Sequence, residues 1–148
     1  HVVSDSHLKE ILDKVKRPCI RYTEATEENV TQADCLIIDC YGLLSSIYRY
    51  GEISYIGGGF GVGIHNVLEA AVYGIPVIFG PNNKKFREAQ HLLEQKGGFE
   101  VTGYDDFKRL MDKFLSDKAC LQQAGKAAGD YVNHNAGALE KIMKDITL

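Results

Sequence analysis

Apolar residues along the chain fall into two alternating kinds of segment. The short kind is rich in β-branched residues and predicts strands. Its members are CIRY (residues 19–22), CLIID (35–39), ISYIG (53–57), PVIFG (76–80) and FEV (99–101). Val2 and Val3 indicate the tail of another strand, after which Ser4 or Ser6 is typical of a helix cap.

The longer kind of segment repeats its apolar residues with the period of a helix. The repeating residues are Leu8, Ile11, Leu12 and Val15; Leu68, Ala71 and Val72; Phe86, Ala89, Leu92 and Leu93; and Phe107, Leu110, Met111, Phe114 and Leu115. Residues 118–146 are helical in composition, with a break predicted at NHNAG (133–137). The last part would place Leu139, Ile142, Met143 and Ile146 on one face, where they could drive self-association.

Alternating strands and helices predict an α/β fold, with a Rossmann-like parallel sheet and helices on both faces. CLIID and PVIFG are apolar throughout, which is typical of central parallel strands. Such sheets bind ligands at the carboxyl ends of their strands. Three of these ends are rich in polar residues and glycine, namely DCYGLLSS, GGGFGVGIHN and GPNNKKF.

Length and composition suit one globular domain over residues 1–148, with 45% hydrophobic residues. The net charge of −3 argues against a nucleic-acid binder, and no apolar run suits a membrane span. The four cysteines show no metal-ligand spacing and are expected to be reduced thiols, with disulfides or a zinc site as alternatives. The abrupt start predicts a fragment of a longer protein.

Five glycines within residues 57–63 precede a helix expected to start near Asn66. Bare backbone at a helix N-terminus favours an anion site for a phosphate or a sugar acid. Gly59, Gly61, Gly63 and His65 are the candidate contacts. A purely structural turn remains an alternative. A nicotinamide site is disfavoured, because no register gives GxGxxG and no acidic residue ends the next strand.

The residues after the glycine run allow two interpretations. Asn66 and Glu69 fit a capping box, but Glu69 could instead accept hydrogen bonds from ribose hydroxyls while Asn66 meets a phosphate. His65 could donate to an anion or simply pack at the helix entrance. Further along, Lys84, Lys85 and Arg87 form either a solvated first turn or a basic lip for an acidic ligand, and opposition to the helix dipole favours the lip.

The blocks GGGFGVGIHNVLEAAVYGIPVIFGP and DCYGLLSSIYRYGEISYIGGG resemble the C-terminal half of bacterial 3-deoxy-D-manno-octulosonic acid (Kdo) transferases. The similarity runs over essentially the whole chain, and HN-x-L-E and G-x-P-V-x-x-G-P are its most specific parts. This resemblance implies the donor-binding domain of an inverting GT-B glycosyltransferase. The acceptor domain, the membrane anchor and the catalytic base would lie in a missing part.

The resemblance also implies a substrate and a site. The family transfers Kdo from CMP-Kdo to lipid A precursor in lipopolysaccharide synthesis, at the cytoplasmic face of the inner membrane of Gram-negative bacteria, with no cofactor or metal. The nucleotide-binding residues carried over are Gly42, Leu43, Leu44, Asn66, Val67, Leu68 and Glu69. His1 falls near a family arginine, Lys85 replaces a family asparagine, and Gly59 replaces a serine.

Two other functions stay open at this stage. One is the donor domain of another GT-B glycosyltransferase that uses a UDP-sugar. The other is a non-catalytic nucleotide-binding Rossmann-like module.

Overall fold

The computed structural model describes residues 4–137, which divide into two compact units, His1–Ser46 and Ile47–Leu148. The strand tail at Val2, the basic position at His1 and the apolar face from Leu139 to Ile146 lie outside the described residues. The single domain expected over residues 1–148 stays a prediction. None of the helices within 4–137 combines the length and apolar character that a membrane-spanning segment needs.

The first unit contains a two-stranded parallel sheet, a helix before it and the start of a short helix after it. Helix α1 (Asp5–Lys14) starts at Ser4, whose hydroxyl accepts a hydrogen bond from the His7 N–H, so the predicted cap is confirmed. Strands β1 (Cys19–Arg21) and β2 (Cys35–Ile37) pair in parallel. Helix α2 (Leu44–Ile47) follows the turn at Gly42 and runs to the unit boundary.

The second unit contains a three-stranded parallel sheet with the order β3-β4-β5. Its strands are β3 (Ser54–Ile56), β4 (Val77–Phe79) and β5 (Gly98–Glu100). Its helices are α3 (Leu68–Ala71), α4 (Arg87–Glu94), α5 (Tyr104–Ser116) and α6 (Lys118–Asn135). The alternation of parallel strands and helices confirms the predicted α/β class.

Strand β4 is the centre of this sheet, and each of its residues is fully buried. Val77 and Phe79 point into one apolar cluster together with Ile56, Ala70 and Leu92. Ile78 points to the opposite face, into a second cluster that includes Val101 and Phe114. The prediction of a central strand for PVIFG is therefore confirmed.

The same prediction for CLIID is wrong, because Leu36 in the middle of β2 is 42% exposed. An apolar run alone does not distinguish a strand covered on both faces from one covered on a single face. Helix α6 ends at Asn135 within the predicted break. Helix α3 is a single turn over the predicted periodic residues, and it begins two residues after the start expected near Asn66.

Candidate functional site

The candidate site lies at the carboxyl edge of the β3-β4-β5 sheet. Ile56, Phe79 and Glu100 are the last residues of the three strands, and the register places Ile56 beside Phe79 and Phe79 beside Glu100. The glycine-rich segment 57–65, here called the glycine loop, follows β3. The segment 80–85, here called the asparagine turn, follows β4. Both therefore meet at the edge where open parallel sheets bind ligands.

The asparagine turn is fastened to the glycine loop by two hydrogen bonds from one residue. The backbone N–H of Asn82 donates to the Gly59 carbonyl at 2.9 Å. The side-chain amide of Asn82 donates to the Gly61 carbonyl at 2.5 Å. The two loops thus form one connected surface.

Packing within this surface explains most of the glycines. A Cβ on Gly59 would lie 2.5 Å from the Gly80 nitrogen, and a Cβ on Gly58, whose φ is +89°, would lie 2.2 Å from the Gly63 carbonyl oxygen. A Cβ on Gly63 would lie 3.0 Å from the Phe86 ring. At Gly61 the nearest atom would be 3.6 Å away, an ordinary contact. The structural interpretation therefore accounts for Gly58, Gly59 and Gly63, and leaves Gly57 and Gly61 without a steric reason.

Three backbone N–H groups proposed as anion contacts are already used inside the glycine loop. Gly61 and Gly63 both donate to the Gly58 carbonyl, at 2.9 and 3.3 Å, and His65 donates to the Gly57 carbonyl at 3.1 Å. In this conformation their amides stabilise the loop rather than face a ligand. The His65 side chain is exposed at the end of the loop.

A cleft of about 500 Å³ lies beside the two loops. It is lined by Val62, Pro81, Asn82, Lys84, Lys85, Phe86 and Glu100. Lys84 and Lys85 are exposed and belong to the asparagine turn, two or three residues before α4 begins at Arg87. Of the two alternatives for these lysines, the structure therefore disagrees with the solvated first turn, and both lysines line the cleft. Arg87 lines a different surface, with Leu68 and His91.

Asn83 holds the floor of the asparagine turn, a role that its sequence position did not indicate. It is 1% exposed. Its side-chain amide donates to the Gly80 carbonyl at 2.9 Å and to a Glu100 carboxylate oxygen at 2.6 Å. Its side-chain oxygen accepts from the Gln90 amide at 2.6 Å. A pair of asparagines predicts a turn, but only the fold shows that the second one is buried.

Asn66 and Glu69 interact, but not as the predicted capping box. Helix α3 begins at Leu68 with Val67 at its N-cap, and the side-chain oxygen of Asn66 accepts from the Leu68 N–H at 3.0 Å. The Asn66 amide donates to the Glu69 carboxylate at 3.0 Å. Because α3 starts two residues late, Asn66 forms an Asx turn that presents Glu69 beside it. A one-turn helix also sums few peptide dipoles, so the expected macrodipole is weak.

Val67 and Leu68 serve mainly as core residues. Val67 is 3% exposed and lies within the larger apolar cluster, against which Leu68 packs. A contact from Val67 to a nucleotide would therefore use its backbone. Tyr48 packs on the same cluster, and burial, followed by the negative charge of Glu69, raises the pKa of its phenol.

Gly42, Leu43 and Leu44 belong to the first unit. Gly42 has a φ of +88°, which confirms the tight turn, and a Cβ there would meet no atom within 4 Å. Leu43 is half-buried, whereas Leu44 is 53% exposed at the start of α2.

Asp39 lies shortly before this turn and is buried. The hydrogen bonds of its carboxylate stabilise the fold. It accepts hydrogen bonds from the Thr23 hydroxyl at 2.6 Å, from the Thr23 N–H at 3.0 Å, and from Arg21 Nε at 2.8 Å. The bond from the Thr23 hydroxyl is the main reason that the pKa of Asp39 falls to about 2, with the Thr23 N–H and Arg21 adding to it. The carboxylate ties the segment after β1 to the end of β2.

A second cleft, of about 430 Å³, is lined by Tyr55, Phe60, Val101, Gly103, Tyr104 and Phe107. Its lining is almost wholly apolar and carries no charged side chain. Such a surface does not suit a phosphate or a sugar acid. The cleft with the two lysines is therefore the better candidate for an anionic ligand.

Comparison with known proteins finds several 3-deoxy-D-manno-octulosonic acid transferases among the relatives of this chain. The 3-deoxy-D-manno-octulosonic acid transferase of Haemophilus influenzae is 30% identical over 146 residues, which are 97% of this chain and 33% of that protein. The transferase of Rickettsia felis is 28% identical over 145 residues, 95% of this chain and 31% of that protein. The Aquifex aeolicus transferase is 37% identical over 89 residues, 59% of this chain and 25% of that protein.

The fold matches a solved structure, the C-terminal CMP-Kdo binding domain of WaaA from Acinetobacter baumannii. The TM-score is 0.73, with 17% sequence identity over 86% of this chain and 67% of that one. No model of a protein family matches the sequence. The chain spans a third or less of the length of the curated relatives cited here. It is therefore a homologue of the 3-deoxy-D-manno-octulosonic acid transferases, with which it aligns over nearly its whole length.

Proposed function

We propose that the chain binds CMP-Kdo as the donor domain of a Kdo transferase that acts on lipid A precursor in lipopolysaccharide synthesis. The observation that carries this proposal is similarity to named Kdo transferases over nearly the whole chain. The likeness in fold to a CMP-Kdo binding domain supports it.

The charge of the lysine-lined cleft suits this donor. CMP-Kdo carries a phosphate and a sugar carboxylate, so it brings two negative groups to its site. Lys84 and Lys85 line the cleft, and no ion pair to either is found among residues 4–137. A unit charge pair at 4 Å contributes about 1 kcal/mol in water and about 4 kcal/mol at an effective dielectric constant of about 20. The two lysines can therefore stabilise a bound anion, even though three backbone amides of the glycine loop donate to carbonyls within the loop.

Glu100 adds a negative charge to the same cleft, but its carboxylate is engaged. One of its oxygens accepts the Asn83 amide at 2.6 Å, and Asn83 is itself buried. This bond holds Glu100 at the floor of the asparagine turn. We propose that Glu100 fixes the turn that presents the lysines and does not contact the donor phosphate.

Glu69 is the residue we assign to the ribose. Its Oε1 accepts the Asn66 amide, and within the described residues no donor to its second oxygen is found. The side chain is half-buried, which strengthens a charge-assisted hydrogen bond relative to one in open water. A ribose hydroxyl could donate to the second oxygen of Glu69, while Asn66 keeps the carboxylate in position.

In the proposed transfer, this chain binds the donor and another part of the enzyme supplies the base. A base elsewhere in the enzyme takes the proton of the acceptor hydroxyl, whose oxygen attacks the anomeric carbon of Kdo. The bond from that carbon to the phosphate oxygen breaks, and CMP leaves with the electron pair and an added negative charge. Lys84 and Lys85 would stabilise that charge. We therefore propose that the isolated 148-residue chain binds the donor but does not transfer Kdo.

Calorimetric titration of the chain with CMP tests the proposal. Loss of a charge-assisted hydrogen bond costs about 1.5–3 kcal/mol, so Glu69→Gln should weaken binding roughly 10- to 100-fold. Glu94→Gln, which neutralises an exposed glutamate at the end of α4, is the matched control and should bind as the parent does.

The same titration with UDP and UDP-sugars separates the alternative donor class. Equal or tighter binding of UDP would contradict a CMP-Kdo site and favour another glycosyltransferase. Absence of binding by any nucleotide would contradict the proposed donor site.

A further inference from the structure

Strands β1 and β2 place two cysteines directly opposite one another. Cys19 begins β1, Cys35 begins β2, and the parallel register pairs the two residues. Neighbouring strands lie about 4.8 Å apart, which falls within the range of about 4.4–6.8 Å that Cα atoms of a disulfide span. Paired residues of parallel strands also project to the same face of the sheet.

The two thiols interact as well as face each other. The Cys19 thiol is also held from its own chain, since it donates to the Arg17 carbonyl at 3.2 Å. Burial raises the pKa of the Cys19 thiol, and the neighbouring Cys35 thiol adds to the shift. Both cysteines are free thiols and both are half-buried, so a small oxidant can reach them.

We propose that Cys19 and Cys35 form a cross-strand dithiol that closes to a disulfide. This site is independent of the proposed donor site, because it depends on the register of the first sheet alone. Among the described residues two other cysteines are present, and neither is opposite Cys19. Cys40 lies three residues beyond the end of β2, and Cys120 lies on α6 in the second unit.

The reaction balances with a small disulfide such as oxidised glutathione as the oxidant. The thiolate of one cysteine attacks a sulfur of the glutathione disulfide and releases one glutathione thiolate, which leaves a mixed disulfide. The thiolate of the second cysteine then attacks the protein sulfur and releases the second glutathione. The two protein thiols lose their protons to solvent, and two electrons pass to the oxidant.

The test uses the 148-residue chain with Cys40→Ser and Cys120→Ser, so that two thiols remain. The reduced protein is equilibrated with reduced and oxidised glutathione at graded ratios, quenched with acid and alkylated. Cleavage before Asp13, Asp34 and Asp39 puts Cys19 and Cys35 on separate peptides. Mass spectrometry should find these two peptides linked, with a mass lower by two hydrogen atoms than their reduced sum.

The matched variant keeps Cys40 in place of Cys35 as the second thiol. In a chain with Cys35→Ser and Cys120→Ser, Cys19 should carry glutathione and should not link to Cys40. The same digestion separates Cys40 from position 35, because a cut falls before Asp39. The proposal is overturned if Cys19 links to Cys40 as readily as to Cys35, if Cys19 and Cys35 each carry glutathione, or if both stay reduced at every ratio.

Discussion

The backbones of Gly59 and Gly80 pack so closely that a Cβ on Gly59 would lie 2.5 Å from the Gly80 nitrogen and 2.6 Å from its Cα. The contact joins the loops that follow β3 and β4, at the edge where a ligand of this sheet would bind. Part of the glycine run therefore serves to bring two loops together. A ligand is required to explain only those glycines that the packing leaves unexplained.

Alanine substitution at Gly59 and Gly61 should separate these two explanations. Gly59→Ala forces backbone apart and should destabilise the second unit by about 1–3 kcal/mol, as overpacking does. Gly61→Ala introduces only an ordinary contact at 3.6 Å and should leave the free energy of unfolding within about 0.5 kcal/mol of the parent. Urea unfolding followed by circular dichroism measures both.

The CMP affinity of the folded Gly61→Ala chain completes that comparison. If the loop glycine admits the donor, this variant keeps its stability but binds CMP less tightly. Unchanged affinity would show that Gly61 has no part in the site. Equal destabilisation by both substitutions would contradict the packing assigned to Gly59.

Asn83→Ala should destabilise the second unit by about 1–3 kcal/mol. The substitution leaves the Gly80 carbonyl, a Glu100 oxygen and the Gln90 amide without their buried partner. Asn82→Ala is the matched control, because Asn82 is exposed and its side chain gives up one bond, to the Gly61 carbonyl. Thermal unfolding should show a clearly larger loss for Asn83→Ala, and equal losses would contradict its role as the floor of the turn.

Helix α6 packs closely through small residues, and Gly125 lies against the turn at Gly74 that precedes β4. A Cβ there would lie 2.3 Å from the Gly74 carbonyl oxygen. Helix propensity favours Ala over Gly by about 1 kcal/mol, yet we expect Gly125→Ala to lower the free energy of unfolding. Gly103→Ala, where a Cβ would meet no atom within 4 Å, is the control and should be close to neutral. A stabilised Gly125→Ala chain would contradict this packing.

Strands and the α/β class could be predicted from the sequence because each strand is a short apolar run bounded by turn residues. CIRY and PVIFG became β1 and β4 within one or two residues. Long-range contacts could not be predicted in this way. The burial of Asn83 depends on Glu100 and Gln90, and the reason for Gly59 lies at Gly80, 21 positions away.

The sequence predicted that the loops after β3 and β4 lie at one edge of the sheet, and the structure has them there, but the sequence did not predict how they contact one another. The capping-box pattern placed the start of the helix near Asn66, although the structure begins it at Leu68. That displacement converts the expected capping box into a side-chain pair between Asn66 and Glu69. Local sequence signals place helix ends only within one or two residues. At this site a shift of two residues in the start of α3 changes which polar groups are available to a ligand.

Asp39 should make the first unit sensitive to acid. Its pKa is about 2 in the folded chain, well below the ordinary value of 3.8. The stabilisation is therefore fully present above about pH 4, and it is lost as the pH falls from about 4 to about 2 and the carboxylate is protonated. Thr23→Val removes the hydroxyl that contributes most to the lowered pKa, so its acid transition should occur at a higher pH than that of the parent. Circular dichroism during acid titration measures both midpoints, and coincident midpoints would contradict the role of Thr23. Thr31→Val, at an exposed threonine whose hydroxyl donates to the nearby Glu28 carbonyl, is the control and should titrate as the parent does.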